Sequence, residues 1–460
     1  MNNIMRSVSW LVAFAAVVTL ATRCIGADES SAPQSLTLQQ CIDLALKQNT
    51  DILKAQQEIR RTHGVIVEAR AAFIPQLTAT GRYSQVDKNV IDIPTIPGFP
   101  LVPGLTAVSR NQERAWDAQI AVSQLVYSGG RVSAVFRAAK LVDQIAVLGF
   151  QRTVADTILQ VRQTFYQILL NQAQVTVREQ SVKLLEQQLA DTQQRFDVGA
   201  LPRFNVLRAG VELANAKPPL IRAQNDLRLS REALVKLLAI DTPDRRQEFT
   251  PIQFAGELRY EPQTWDLAQA LPSALAQRPE LKVAEKNVAV ARENITVSTA
   301  GYKPELSLFG NYGVHDSPFQ DEINQTTRGW TVGAQATWNL FDGMLTHGKV
   351  IQARAQLQQA ELAFDDTRRG IELEVRQAYS DFLQAQELME TQKKTVEEAE
   401  EGLRLAEVRY RTGSGTQLEV LSAQTALTEA RSNEVQAMYD YNVADATLQR
   451  AVGATVKVAY

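Results

Sequence analysis

Few side chains in this 460-residue chain are spaced for bond-making chemistry. Its only cysteines are Cys24 and Cys41, and its three histidines, His63, His315 and His347, lie far apart. That excludes a cysteine-rich metal site and the HExxH signature of zinc hydrolases. No G-x-S-x-G or Walker A motif occurs. Gly413-Ser414-Gly415 opens like a dinucleotide fingerprint, but Leu418 stands where the last glycine belongs and no strand precedes it. The run Glu397-Glu398-Ala399-Glu400-Glu401 reads as a solvated helix face, not a metal site. The expectation is a protein that is no enzyme and needs no metal or cofactor. What polar chemistry remains flanks two glycine turns. One is Arg195-Phe-Asp-Val198-Gly199-Ala-Leu-Pro-Arg203-Phe-Asn205-Val-Leu-Arg208. The other is Arg409-Tyr410-Arg-Thr412-Gly413-Ser-Gly415-Thr416-Gln-Leu-Glu419. Gly199 and Gly413 fit helix C-caps with positive φ. Thr416 and Glu419 have the spacing of a capping box for a returning helix.

These turns recur because the chain is duplicated. Ile66 to Leu77, with Pro75, returns 229 residues later as Ile295 to Leu306, with Pro304. Arg195-Phe196-x-x-Gly199 returns 214 residues later as Arg409-Tyr410-x-x-Gly413. The offset falls by 15 between Tyr83 and Trp116, where the first half carries a longer Pro-rich loop. Each half predicts a helix, a strand, a loop, a second strand, a very long helix, a glycine turn and a returning helix. The divisions are a signal peptide over 1–27, a first repeat over 28–240, a linker over 241–264, a second repeat over 265–453 and a tail over 454–460. The first repeat places strands at about 76–86 and 115–127 and its tip near 199–204. The second places them at about 305–314 and 329–341, with its tip near 413–416.

The first helix of each half shows a seven-residue spacing: Ala45, Ile52, Ile59, Ile66 and Phe73, then Ala274, Leu281, Val288, Ile295 and Tyr302. Small residues follow three positions later, at Ala55, Thr62 and Ala69 and at Ala284, Ala291 and Ser298, which predicts knobs-into-holes packing. Arg131 to Val198 contains no proline and a single glycine, Gly149. Thr346 to Thr412 is alike in lacking proline. Both predict helices about 100 Å long, which need neighbours along their whole length.

After each P-x-L the period changes to two. Trp330, Val332, Ala334, Ala336, Trp338 and Leu340 share one face; Thr331, Gly333, Gln335, Thr337 and Asn339 share the other. Leu306, Leu308, Gly310 and Tyr312, Leu77, Ala79, Gly81 and Tyr83, and Trp116, Ala118, Ile120 and Val122 form the matching faces. Lipid on one side and water on the other produces this alternation in membrane barrels, with aromatic residues at the interfaces. A soluble sheet with one buried face produces it too. Four strands cannot close a barrel, and an open edge in lipid leaves backbone groups unsatisfied. A membrane reading therefore requires several copies: two give eight strands, three give twelve.

Net charge is −3, from 48 basic and 51 acidic residues, so nucleic acid is not an expected partner. Arg6, the apolar run Val8–Ala21 and Ile25-Gly26-Ala27 before Asp28 read as a cleaved signal peptide. An uncleaved anchor and lipidation at Cys24 are the other readings of this segment. No later stretch reaches ~18 consecutive apolar residues.

The order of elements, the P-x-L junctions at Pro75 and Pro304 and the paired turns at Gly199 and Gly413 resemble the TolC family of outer-membrane efflux ducts, over roughly Leu36 to Gly453. The resemblance implies a mainly α fold with a membrane β-barrel. Long antiparallel helices would form a periplasmic α-barrel, and four strands per chain would join a shared twelve-stranded barrel in a homotrimer. It implies a passive export duct of a tripartite efflux or type I secretion system, placed in the outer membrane with a large periplasmic part. Its partners would be a periplasmic adaptor protein, an inner-membrane pump and outer-membrane lipid. The turns at Val198, Gly199, Thr412 and Gly413 would meet the adaptor. Three Glu419 carboxylates at the tunnel mouth would favour cations, and the capping role stays open beside that. The family's second acidic ring, three residues on, is Ser422 here. Tyr410 matches the tyrosine of the family's closed state, whereas Gly415 replaces its arginine and Asn205 its aspartate. Arg203 and Arg208 are then candidate partners for Glu419. The competing reading is a periplasmic coiled-coil adaptor or scaffold without a pore.

Overall fold

A computed structural model describes residues 35–85, 87, 114–240, 252–316 and 326–454. The signal peptide, Cys24, most of the Pro-rich loop after Tyr83, linker residues 241–251 and the tail beyond Ala454 lie outside the described residues. The chain runs β1 (Ser35–Leu36), α1 (Leu38–Gln48), α2 (Thr50–Ala71), β2 (Gln76–Gln85), β3 (Arg114–Ser128), α3 (Arg131–Asp197), α4 (Arg203–Leu237), β4 (Gln253–Phe254), α5 (Leu267–Gln277), α6 (Pro279–Thr299), a 3₁₀ turn (Ala300–Tyr302), β5 (Glu305–Asp316), β6 (Thr326–Thr337), α7 (Leu345–Arg411) and α8 (Gln417–Val452).

α3 and α7 each contain 67 residues, so each spans about 100 Å. They begin at matching left-handed pairs, Gly129 and Gly130 (φ 64° and 96°) and Gly343 and Met344 (φ 67° and 71°). A Cβ at Gly129 would lie 2.8 Å from Lys303 Cβ and 2.9 Å from the Ala300 carbonyl oxygen, so only glycine fits. α4 returns along α3, and α8 returns along α7 and touches α3.

The duplication is visible in the core. Val161 and Val375, Ile168 and Phe382, and Leu234 and Leu448 are 214 positions apart, and all are fully buried. The first member of each pair packs around Ile52 and Phe254, the second around Ala274 and Tyr441. The continuous helix suggested by each seven-residue spacing is in fact broken. Asn49 ends α1 with ψ 132° and caps α2, its side chain accepting from the Asp51 and Ile52 amides. Arg278 ends α5 with ψ 126°, because Pro279 at the start of α6 disfavours helical backbone before it. Phe73 and Tyr302 fall beyond the helix ends.

The described part of the linker lies against the helices. β4 pairs with β1 in parallel, Phe254 stacks edge-on against Phe165, and Tyr260 does so against Tyr441. The Tyr441 hydroxyl donates to the Glu261 carbonyl at 2.7 Å and accepts from the Gln263 amide at 3.0 Å.

A charge cluster with a largely buried core of Arg278, Arg450 and Glu280 and the more exposed Glu374 and Asp156 at its rim joins the repeats where α3, α6, α7 and α8 meet. Arg278 bonds Glu280 and Glu374; Arg450 bonds Glu280, Glu374 and Asp156. Burial pushes the Glu280 carboxyl up. The Arg278 hydrogen bond, its own backbone amide and the two guanidinium charges outweigh this, so its pKa ends below the ordinary value.

One antiparallel sheet, in the order β2-β3-β5-β6, stands at the far end from the glycine turns, and among the described residues β2 and β6 are its unpaired edges. Its register aligns the apolar residues in rows: Leu77 with Val122 and Gly310 and Val332, and Ala79 with Ile120, Tyr312 and Trp330. Thr78, Ala121, Asn311 and Thr331 form a row of the other face. The last strand starts earlier and stops sooner than its sequence pattern suggests, at Thr337. Past it the Trp338 indole donates to the Tyr302 carbonyl at 3.1 Å, and Asp342 accepts from the Thr346 amide at 2.8 Å to start α7. These side chains turn the chain out of the ladder. Among the described residues no helix is long and apolar enough to cross a membrane.

Candidate functional site

The two glycine turns lie side by side at the tip. At the first, Gly199 has φ 78°, and the amides of Gly199 and Ala200 close on the Phe196 and Arg195 carbonyls at 2.8 Å each. At the second, Gly413 has φ 76°, and the amides of Ser414 and Gly415 close on the Arg409 carbonyl at 2.9 and 3.0 Å. The left-handed residue and backward amides satisfy carbonyls that a helix end leaves free. Val198 and Thr412 are exposed at these turns. A Cβ at Gly415 would lie 2.9 Å from Arg409 Cβ and 3.2 Å from the Tyr410 nitrogen. The residue at this position therefore decides how tightly the turn closes.

Thr416 caps α8, its hydroxyl oxygen accepting from the Glu419 amide at 3.3 Å. The Glu419 carboxylate receives the Thr416 hydroxyl at 3.3 Å and stands 3.5 Å from Arg409 Nη2. The full reciprocal box is made elsewhere, by Thr37 and Gln40 at α1. Within the chain Arg409, not Arg203 or Arg208, is the cation beside Glu419. Arg203 is exposed and Arg208 half-buried on the first turns of α4, and neither forms an ion pair among the described residues.

The Tyr410 ring packs with Leu403, Val420 and Leu427, and the Arg195 guanidinium sits 5.2 Å from its centroid. Its hydroxyl is buried with no hydrogen-bond partner. Asn205 enters the site through its backbone: its carbonyl accepts from Gln417 Nε2 at 3.4 Å. The same Nε2 donates to Thr192 Oγ1 at 3.3 Å. Gln417 and Thr192 are both buried, so one side-chain amide ties α8 to both arms of the first hairpin.

Gln417, Thr192, Arg409 and Arg195 were not legible as site residues. A signal existed for part of this. Gln174, Ser181 and Gln188 are seven apart on α3, and they meet a polar row on α8. Ser432 donates to Gln174 at 3.0 Å, and Thr428 donates to Ser181 at 3.2 Å. Gln188 Nε2 on α3 and Gln424 Oε1 on α8 are buried without partners among the described residues. The contact between the two hairpins thus combines a polar row with an apolar cluster, in which Leu184 of α3 packs against Leu403, Val420 and Leu427. Each hydrogen bond of the polar row contributes only ~1 kcal/mol net.

The comparisons with known proteins agree with this architecture. The chain is similar to the outer membrane protein TolC of Vibrio cholerae, at 23% identity over 92% of each chain. It is also similar to the alkaline protease secretion protein AprF of Pseudomonas aeruginosa, at 23% identity over 89% of this chain and 83% of that one. The crystal structure of the Campylobacter jejuni CmeC outer membrane channel shares its fold, with a TM-score of 0.74 at 16% identity over 90% of this chain and 85% of that one. The family described as outer membrane efflux protein matches residues 41–239 and 270–454, and so covers both repeats. The chain belongs to the outer membrane efflux protein family and is a TolC-like channel of the outer membrane.

Proposed function

We propose that three copies of this chain form a passive duct for efflux or type I secretion, with the sheets closed into a twelve-stranded barrel and the helices into a periplasmic tunnel. The observation that carries this is the four-stranded sheet with two unpaired edges and an exposed apolar face. In lipid those edges must pair with other copies. Two copies would close eight strands, a barrel whose interior side chains fill; three leave a lumen. The names of the relatives, an outer membrane protein and a protease secretion protein, support export as the task. With no nucleotide-binding motif of its own, the duct draws its energy from an inner-membrane pump reached through a periplasmic adaptor. The adaptor contacts are the exposed turns at Val198, Gly199, Thr412 and Gly413.

The tip is the gate in this reading. Glu419 carboxylates ring the mouth and favour cations, while Tyr410 with Arg195 and the Gln417–Thr192 tie hold the hairpins together. In this reading Arg203 and Arg208, which lie on either side of Asn205 in sequence and form no ion pair among the described residues, are left for a neighbouring copy. A scaffold without a pore would leave the apolar rows of the sheet in water. The test is conductance of the detergent-extracted protein in planar bilayers. Discrete cation-preferring steps are expected; inserted protein that never conducts would contradict the duct.

A further inference from the structure

The outward face of the sheet carries an arginine that its register isolates. Arg328 lies opposite Val314, which lies opposite Ala118, which lies opposite Gly81. That row belongs to the apolar face, one pleat beyond Tyr312 and Trp330 and one pleat short of Tyr83 and Trp116. The row beside it on the other face runs Arg82, Asp117, His315, Thr327. Of two arginines at one height, Arg82 has a carboxylate directly across the ladder and Arg328 has a valine. Arg328 is exposed and forms no ion pair among the described residues. Asp316, one pleat further out, is buried and forms none with it.

Position along the strand says what surrounds this cation. Trp338, one residue past the end of the strand, marks the border near the helices, where its indole bonds the Tyr302 carbonyl. Ten residues at ~3.4 Å, tilted by ~40°, put Arg328 about 26 Å further along the membrane normal. That matches the ~25 Å apolar band of outer-membrane barrels, and Trp330, Val332, Ala334 and Ala336 between them are uncharged. Arginine on a lipid face costs ~2–4 kcal/mol at the midplane and almost nothing at the border. Arg328 therefore sits at the border away from the helices, among aromatic residues that favour headgroup depth. With the helices in the periplasm, that border is the outer leaflet.

We propose that Arg328 holds a phosphate of a phosphorylated glycolipid in the outer leaflet, its planar guanidinium donating to two phosphate oxygens. The proposal rests on the reading that the apolar rows face lipid. Near a membrane surface one basic residue changes retention of an anionic lipid about fivefold.

The test uses the full-length oligomer in phosphatidylcholine nanodiscs doped with bis-phosphorylated lipid A, with bound lipid counted by native mass spectrometry. Arg328→Gln is expected to retain about fivefold less lipid A than the wild type, Arg328→Lys to retain most of it, and Arg82→Gln on the lumen face to match the wild type. Dephosphorylated lipid A should be retained equally by the wild type and Arg328→Gln. Equal retention of the phosphorylated lipid by wild type and Arg328→Gln would overturn the site, as would loss in Arg82→Gln of the same size. A wild-type chain that never enters nanodiscs would overturn the lipid-facing reading itself, and the site with it.

Discussion

Gln417, the first residue of α8, donates its side-chain amide to Thr192 Oγ1 at 3.3 Å across the buried contact between the hairpins. In the gate proposed above, the bond lies near the tip, where a small relative movement of the hairpins would change the width of the mouth most. Gln417→Ala removes the tie to both Thr192 and the Asn205 carbonyl. One net hydrogen bond of ~1 kcal/mol corresponds to about a fivefold shift between closed and open forms. The time-averaged conductance in planar bilayers should rise accordingly. Thr192→Val should have a smaller effect in the same direction, and the double variant should not exceed Gln417→Ala by the full sum.

Glu419 stands 3.5 Å from Arg409, with both side chains more than a third exposed. Solvent screening leaves such a pair ~0–1 kcal/mol, so Glu419→Gln should hardly change thermal stability. The same change removes one negative charge per copy from the proposed mouth. Reversal potentials across a salt gradient should therefore show lower cation preference. Unchanged preference would leave Glu419 only its place in the α8 cap.

Gly199 and Gly413 have φ values of 78° and 76° with open space where a Cβ would go. Gly199→Ala and Gly413→Ala should each cost ~1 kcal/mol from left-handed backbone alone. Gly415→Ala should cost more, because its Cβ would press on Arg409 Cβ and the Tyr410 backbone. Far-UV circular dichroism during thermal unfolding in detergent separates the two classes.

Glu280 has a folded-state pKa below its ordinary value, so it binds its proton more weakly in the folded chain than in the unfolded one. Its contribution to stability is full above the unfolded glutamate value and is lost as pH falls through the folded value. Glu280→Gln should therefore destabilise the protein at neutral pH, by ~1–3 kcal/mol, because Arg278 and Arg450 keep Glu374 as a partner. The difference from the wild type should shrink on acidification in the same unfolding assay.

Much of this was legible in the sequence where signals are local and repeated. Proline-free stretches read as α3 and α7, alternation read as the strands, and two copies of each signal reinforced one another. What escaped depends on contacts between distant segments. The Gln417–Thr192 tie spans 225 positions, and the Arg450–Asp156 bond spans 294. No local pattern pairs them. The breaks at Asn49 and Arg278 escaped for another reason: the seven-residue hydrophobic spacing continues through both, while a capping side chain and a proline interrupt the backbone. At the tip, Arg203 and Arg208 flank Asn205 and are far from Glu419 in sequence; the turn at Gly415 instead folds the nearer Arg409 back toward Glu419.

The central claim is that the open sheet of one chain is completed by other copies. It is tested most directly by the mass of the detergent-extracted particle from the outer-membrane fraction, measured by light scattering with the detergent contribution subtracted. A protein mass three times that of the processed chain is the predicted result. A monomer recovered without detergent would contradict the account, because it would show that both edges and the apolar face of the sheet tolerate water.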